Sequence, residues 1–523
     1  MDFDAVVIGA GHNALAAAVH LASRGWSVGV FERNDAAGGA VRTAEVTLPG
    51  FRHDLGAMNL SLFAGSPFVA QHGEGLRAHG LAFGPAEHCF ASPMRNGSWF
   101  GVSKVLETTI ARAARFSPQD AATWRAMLVG FGADAPTIFN LLGSPMTARA
   151  LMKTGWKAWR EKGAGGLLET VRLVASSPRE FLERNFTSPE IRAAMAAWGM
   201  HLDFPPDIAG GALFPYLESM ASQSFGMVIG AGGADTMIKA MAAHLASLGG
   251  AIRLGAEVVE ISRQAGRAIG VRLANGETIR AKRAVVAGVT PTALVGGLLP
   301  GGSGDARFDR GAKEFRYGPG TMMVHLAMSD LPDWAAGDEL KRFAYVHLAP
   351  DLDMMSRAYA EAVAGLLPTE PVLVVGQPTA VDPSRAPDGR HILWVQVRVL
   401  PAEIRGDAAG EILSHDWDAA KEAYADRAVD IIERYAPGTK AKVLARFVAS
   451  PADLERENPN LVGGDNLAGS HHLSQNFLLR PIPGWAGYRT PVKDLYMVGA
   501  STWPGAGTGA GSGYMLAKML AGG

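Results

Sequence analysis

The residues near the start of the chain that are best suited to chemistry are two glycines and one acid. Gly9 and Gly11 stand in the stretch I-G-A-G-H-N-A, which Asn13 and Ala14 complete, and Glu32 follows about 20 residues later. Glycine lets the backbone turn tightly and come close to a pyrophosphate, whose charge is favoured at a helix N-terminus. A carboxylate at the later position can accept hydrogen bonds from a ribose. This spacing therefore predicts a dinucleotide site.

The elements that must position these residues have the order of a βαβ unit. Residues 5–8 and 28–31 are short apolar runs typical of central parallel strands, and residues 14–22 are rich in alanine and leucine, as in a helix. Ala14 stands where the G-x-G-x-x-G motif has its third glycine, which the looser form of the motif allows. The alternative is a glycine-rich turn in another kind of α/β protein, but the complete unit favours nucleotide binding.

Further glycine-rich segments favour FAD over NAD. Adjacent glycines in residues 34–43 would let a loop fold beneath a cofactor longer than an adenosine. Near the other end of the chain, an apolar strand at 495–499 precedes a glycine loop at 501–513 and a helix at 514–520. Two strand-loop-helix sites at opposite ends of the chain indicate one extended ligand, which we expect to be noncovalent FAD.

The same segments resemble the phytoene-dehydrogenase-like FAD oxidoreductases. The resemblance rests on V-V-I-G-A-G-H-N, F-E-R-N-D-A-A-G-G, G-F-R-H-D-L-G-A and, at 495–507, L-Y-M-V-G-A-S-T-W-P-G-A-G. The stretches D-P-S-R-A-P-D-G-R-H (382–391) and L-L-R-P-I-P-G-W (478–485), with His12 and Asn13, are similar to the branch that includes the pyridine nucleotide-disulfide oxidoreductase domain-containing protein 2 group. The resemblance implies an α/β fold like that of amine oxidases and phytoene desaturases.

Motifs and resemblance together predict the cofactor-binding residues. The loop at 54–59 is expected beside the flavin, and Val258 matches the valine that lies against the adenine in relatives. The predicted set is Gly9, Gly11, Asn13, Ala14, Glu32, Arg33, Gly39, Arg42, Gly56, Ala57, Met58, Val258, Gly499, Gly505 and Gly509.

The chain is predicted to form two domains. A discontinuous Rossmann-type FAD-binding domain is expected at 1–65, 222–300 and 486–523, and a helix-capped, mixed-sheet substrate domain at 66–221 and 301–485. Within the first domain we expect a glycine-rich helix entry at 227–233, one strand over 251–261 and a hairpin about Asn275 and Gly276. Within the second we expect helices over about 104–215.

Helix starts and a second sheet complete this prediction. Ser117, Ser177 and Ser450 each precede a proline and stand three residues before a helix-stabilising side chain, the pattern of an N-cap. In all three cases that side chain is acidic. Strands are expected at 321–327, 343–348, 372–375 and 391–400, in an antiparallel sheet with one packed face.

Composition excludes several classes of function. The 523 residues carry a formal net charge of −1, so no global field favours nucleic acid. The chain has a single cysteine, Cys89, which has no second cysteine with which to form a redox pair or a thiolate metal site, so no bound metal is expected. Cys89 also lies outside both glycine motifs, so no covalent bond between a cysteine and the flavin is expected. No apolar run reaches the length of a transmembrane helix, and a cytoplasmic protein is predicted.

The sequence is less informative about catalysis. Because a flavin supplies the redox chemistry, the protein must chiefly position the substrate and exclude water. Trp503, where relatives often carry histidine, is predicted to border the substrate, or else to be a core tryptophan. His472 is a second candidate, although the histidine that relatives carry shortly after two glycines is here Ala468. Histidines in such loops are more often structural.

The predicted function is that of an FAD-dependent dehydrogenase or desaturase that removes two electrons from a largely apolar substrate. Oxygen or a quinone could be the electron acceptor. A flavin amine oxidase is the alternative enzyme, and a flavin-bound, chaperone-like partner is the alternative without catalysis. Residues 153–160 place Lys153, Lys157 and Arg160 beside Trp156 and Trp159, as in a helix that lies on a membrane surface or packs its tryptophans on the core.

Overall fold

The computed structural model describes residues 2–522. The strands are β1 (Asp2–Ile8), β2 (Val28–Phe31), β3 (Thr43–Ala44), β4 (His53–Asp54), β5 (Phe83–Ala86), β6 (His88–Pro93), β7 (Trp99–Ser103), β8 (Met227–Gly230), β9 (Ala251–Arg253), β10 (Val258–Gln264), β11 (Arg267–Leu273), β12 (Thr278–Ala287), β13 (Gly320–Met328), β14 (Tyr345–Leu348), β15 (Leu366–Leu367), β16 (Val372–Gly376), β17 (His391–Leu400), β18 (Gly406–Asp407), β19 (Val443–Ala449) and β20 (Leu495–Met497).

Helices separate and cover these strands. They are α1 (His12–Ser23), α2 (Ser61–Ala64), α3 (Pro67–Ala78), α4 (Leu106–Ala114), α5 (Pro118–Leu142), α6 (Ala148–Ala175), α7 (Pro178–Asn185), α8 (Pro189–Met200), α9 (Leu213–Phe225), α10 (Thr236–Ser247), α11 (Pro291–Ala293), α12 (Ala306–Lys313), α13 (Leu352–Val363), α14 (Trp417–Tyr435), α15 (Thr439–Lys442), α16 (Pro451–Glu457) and α17 (Gly511–Ala521).

The first sheet joins segments that are far apart in the chain. β9, β2, β1 and β12 are parallel neighbours in that order, and β20 pairs in parallel with the end of β12. Along β1, Ala5 and Val7 pack against the side covered by α1, α10 and α17, whereas Val6 and Ile8 pack on the opposite side with Phe308. Burial on both faces explains the apolar sequence of this strand.

The second sheet has the order β19-β13-β17-β16-β14-β6-β7 and is mixed, because β14 pairs in parallel with β6. Side chains alternate between the two faces of the sheet along β13: Val324 packs on the side of α14, whereas Met323 packs on the side of α8 and α9. The prediction of one packed face is wrong, because every residue of β13 is buried. Helices cover both faces, so even Gln396 and Arg398 of β17 are buried.

Several local predictions were correct. The Asn275–Gly276 hairpin joins β11 to β12, and Ser117, Ser177 and Ser450 each accept a hydrogen bond from the third residue of the helix that follows. Two predictions need correction, the single strand over 251–261 and the glycine-rich helix entry at 227–233. Residues 251–261 form β9 and β10 rather than one strand, since the main chain at 255 and 256 bonds to residues beside β2. Residues 227–230 form β8, which pairs with β5, before α10 begins.

Candidate functional site

The first glycine turn connects β1 to α1. Gly9 has a φ of +85°, a conformation that favours glycine, and α1 begins after Gly11 without a side-chain cap. A Cβ on Gly11 would have no protein atom within 4 Å, so the space beside this helix N-terminus is open. The turn thus offers free backbone N–H groups and room for a pyrophosphate.

Glu32 lies at the end of β2, as predicted, against this turn. Its Oε2 accepts a hydrogen bond from the main-chain N–H of Ala10 at 2.7 Å, and its Oε1 accepts one from Asn34 at 3.0 Å. Each carboxylate oxygen keeps a further lone pair for a ribose hydroxyl. The main chain of Ala256 donates to the carbonyl of Glu32, which brings Val258, at the start of β10, near the same end of β2.

Two loops close over the first turn. Gly38 forms a β-bridge with Gly11, and a Cβ on Gly39 would lie 3.4 Å from the Gly11 Cα, at the lower limit of an ordinary van der Waals contact. The loop at 54–59 lies on the 38–42 loop, where Ala57 donates its main-chain N–H to the carbonyl of Ala40 at 3.1 Å. Of the predicted basic residues here, Arg42 forms an ion pair with Glu457 and Arg33 is exposed.

The C-terminal glycine loop meets the first turn. The imidazole Nε2 of His12 lies 3.3 Å from the carbonyl oxygen of Gly507, and Gly513 packs so closely on the main chain of Asn13 that a side chain there would collide with it. Burial lowers the pKa of His12 to about 4, so its imidazole is neutral at neutral pH. Helix α17, like α1, begins without a side-chain cap, and space for a Cβ at Gly499 is open.

These residues fit FAD. Two uncapped helix N-termini, open space at Gly11 and Gly499 and an acid beside the first turn match the needs of a diphosphate and a ribose. Residues 9–59 and 499–513 meet in one place, as expected for a single extended ligand. Cys89, in contrast, is buried in β6, where burial raises its pKa to about 12.

The two adjacent histidines of the 463–476 loop point to different surroundings. His471 is buried and its Nε2 accepts a hydrogen bond from the main-chain N–H of Ala506, so it contacts the C-terminal glycine loop. The imidazole Nε2 of His472 instead lies 2.8 Å from the carbonyl oxygen of Asp203. His472 also lines a cleft of about 370 Å³, together with Tyr359 and Arg316. The catalytic role predicted for His472 stays a prediction.

Trp503, in the C-terminal glycine loop, is buried, with 2% of its surface exposed. Its ring lies 5.6 Å from that of Phe477, and its Nε1 donates to the carbonyl oxygen of Ser144 at 3.0 Å. These contacts satisfy the indole within the protein. Whether it also borders the flavin, as the sequence predicts, stays a prediction.

An aromatic wall of the second sheet contacts the 54–59 loop. Trp394 of β17 donates its Nε1–H to the carbonyl oxygen of Gly56 at 3.0 Å. Its ring stacks on Tyr345 of β14, with centroids 5.7 Å apart, and Met58 packs in the same core. The wall continues through Trp198 and His347, and burial lowers the pKa of His347 to about 3, so this imidazole carries no charge.

Sequence patterns did not reveal two ionisable groups near these loops, of which Arg480 is buried and Glu218 is half-buried. Arg480 donates to the carbonyl oxygens of Ser470 and Ala500, which ties the 463–476 loop to the C-terminal glycine loop. Glu218 of α9 is half-buried, and burial raises its pKa to about 7. No motif marks Glu218, whereas Arg480 belongs to the L-L-R-P stretch that carried the resemblance.

The parallel sheet, the glycine turns and Glu32 define a dinucleotide-binding flavoprotein. Residues 15–502 match the family described as flavin containing amine oxidoreductase, and the chain belongs to this family. It is an FAD-dependent oxidoreductase with the α/β fold predicted from its sequence.

Individual relatives agree with this placement. The chain is 28% identical to mouse pyridine nucleotide-disulfide oxidoreductase domain-containing protein 2, over 99% of this chain and 93% of the relative. It is 26% identical to phytoene desaturase (neurosporene-forming) of Cereibacter sphaeroides, over 98% and 94%. A crystal structure of an oxidoreductase from Methanosarcina mazei is similar in fold, with a TM-score of 0.65, 18% identity and coverage of 99% and 100%.

Proposed function

We propose that the protein is a dehydrogenase or desaturase of the phytoene-dehydrogenase-like type, which removes two electrons from a largely apolar organic substrate. The observation that carries this proposal is the contact between Trp394 and Gly56, which brings an uncharged aromatic wall against the loop predicted to lie beside the flavin. An apolar substrate bound along Trp394 and Tyr345 would be shielded from water. The similarity to a phytoene desaturase supports the same substrate class.

When bound, FAD supplies the two-electron acceptor, and the chain's residues supply position and exclusion of water. The open first turn at Gly11 and the uncapped start of α17 would hold the diphosphate. Trp394 is itself fixed by its hydrogen bond to Gly56, so its ring keeps a constant distance from that loop. Glu218, whose pKa is about 7, can hold or release a proton near neutral pH.

A second candidate function, amine oxidation, is favoured by one observation. Tyr345 and Trp394 present stacked rings 5.7 Å apart, and paired aromatic faces attract a cationic amine. The two candidates therefore differ in the substrate that the same wall would accept.

An anaerobic reduction assay distinguishes these functions. The FAD-loaded protein is mixed with isoprenoid hydrocarbons or with primary amines, and the loss of visible flavin absorbance is recorded. We expect a hydrocarbon to bleach the flavin and Trp394→Phe to slow bleaching, because Phe cannot bond to Gly56. Trp485→Phe, a partly buried tryptophan packed on Phe308, is the control. Bleaching by amines alone would favour the oxidase, and bleaching by neither class would contradict both proposals.

A further inference from the structure

Helix α6 is the least buried long helix-forming segment among residues 2–522. None of its 28 residues, all within the described part of the chain, is buried. Its exposed apolar side chains include Met152, Trp156 and Trp159, with 68%, 63% and 44% of their surface accessible. Large exposed apolar side chains that stand close together mark an interaction surface.

These three side chains form one stripe. At 3.6 residues per turn, positions 152, 156 and 159 fall within an arc of about 60°. The rings of Trp156 and Trp159 are 4.9 Å apart, which keeps them together as a single apolar patch. The stripe ends at Gly163, whose φ of +70° interrupts the helix.

A row of cations runs beside the stripe. Lys153, Lys157 and Arg160 lie about 100° further round the helix, again within a narrow arc. Residues 148–175 hold six basic and two acidic side chains, whereas the whole chain has a net charge of −1. Within residues 2–522, neither Lys153 nor Arg160 has an acidic partner at ion-pair distance, so both charges face solvent.

We propose that the α6 stripe docks on the surface of an anionic lipid bilayer. Tryptophan rings are suited to the boundary between acyl chains and head groups, and adjacent lysines and arginines are attracted to anionic lipids. The helix would lie in the interface, since none of the helices described over residues 2–522 is long and apolar enough to cross a membrane. A symmetric contact with a second copy is disfavoured because it would bring the two cationic rows together.

This inference goes beyond the proposed function, and its test needs no substrate. The FAD-loaded protein is sedimented with vesicles of equal parts phosphatidylcholine and phosphatidylserine, and with vesicles of phosphatidylcholine alone. We expect binding to the mixed vesicles, little binding to the neutral ones, and release at about 1 M salt, where screening removes the attraction between surface charges.

Two double variants test the two halves of the surface. Trp156→Ser with Trp159→Ser removes the apolar patch, and Lys153→Glu with Lys157→Glu reverses two charges; each should weaken vesicle binding by about tenfold or more. The matched controls are Leu413→Ser, at a side chain 85% exposed, and Lys282→Glu with Lys313→Glu, both on other exposed surfaces. Flavin content equal to that of the unaltered protein shows that each variant is folded.

Three results would overturn the proposal. The first is failure of the unaltered protein to bind mixed vesicles. The second is equal binding by the tryptophan variant. The third is a dimer in light scattering that Trp156→Ser with Trp159→Ser converts to a monomer, because the stripe would then be a contact between copies of the chain.

Discussion

The indole Nε1 of Trp503 donates a hydrogen bond to the carbonyl oxygen of Ser144 at 3.0 Å. Ser144 lies in the short connection between α5 and α6, and Trp503 lies in the C-terminal glycine loop. The loop that is predicted to hold part of the flavin is therefore fixed to the base of the helical hairpin that carries the α6 stripe. A substitution at Trp503 would remove this hydrogen bond and with it one contact between the two segments.

Gly11→Val is expected to abolish retention of FAD. The backbone of Gly11, with φ −71° and ψ 162°, is one that valine adopts readily, so the variant tests room for the ligand rather than backbone strain. The added side chain would occupy the open space beside α1. Flavin absorbance relative to protein measures the effect, with Gly130→Val in α5, where a Cβ also meets no protein atom within 4 Å, as the control. Full flavin content in Gly11→Val would mean that the pyrophosphate binds elsewhere.

Glu32→Ala is expected to weaken FAD binding by about ten- to a hundredfold. Hydrogen bonds to a charged group contribute roughly 1.5–3 kcal/mol, and the variant also frees the main-chain N–H of Ala10. Titration of the apoprotein with FAD measures the affinity. Asp35→Ala, at an exposed acid three residues away, should leave it unchanged. Equal affinities for the two variants would show that Glu32 does not contact the ribose.

Trp503→Phe is expected to raise flavin fluorescence and to lower turnover while FAD content stays nearly constant. The ring substitution keeps most of the buried volume, whereas truncation to alanine costs about 3–5 kcal/mol in a core. His471→Ala and His472→Ala should reduce turnover much less, unless one of them transfers a proton. Unchanged fluorescence in Trp503→Phe, with a large loss of activity in His472→Ala, would reverse this assignment.

Glu218 is expected to make stability fall as pH rises towards neutrality. Burial raises its pKa from 4.5 to about 7, so the folded protein holds a proton that the unfolded chain has lost. The stabilising contribution is complete below the unfolded pKa and is lost as pH approaches the folded pKa, by at most about 3 kcal/mol.

Glu218→Gln removes this titration. Between about pH 5 and pH 8, the free energy of unfolding should fall more steeply for the unaltered protein than for the variant. Denaturant unfolding at the two pH values measures the difference. Glu74→Gln, at an exposed position of α3, should retain the steeper dependence. Parallel behaviour of Glu218→Gln and the unaltered protein would place the Glu218 carboxyl in water.

Local patterns predicted the elements around the cofactor because these patterns depend on short-range chemistry. The apolar run of β1, the serine N-caps and the Asn275–Gly276 turn each follow from a few neighbouring residues. The resemblance to a flavoprotein family extended the prediction to the overall α/β fold. The division into domains and the assigned site residues stay predictions.

Contacts between distant segments could not be predicted in this way. The burial of both faces of the second sheet depends on helices far away in the chain, which the alternation within β13 does not show. The pKa of Glu218 and the link from Arg480 to Ala500 likewise arise only when separate segments meet. The break between β9 and β10 was missed because it is produced by main-chain bonds to residues next to β2.

The meeting of His12 with Gly507 has a consequence for the order of events during biosynthesis. Nearly five hundred residues separate the two loops, so the ribosome synthesises the first half of the site long before the second half. Domains generally fold as they emerge, but this one lacks β20 and α17 until long after β1 and α1 have been made. We therefore expect FAD to bind only after β20 and α17 have emerged, because until then the end of β12 has no β20 to pair with.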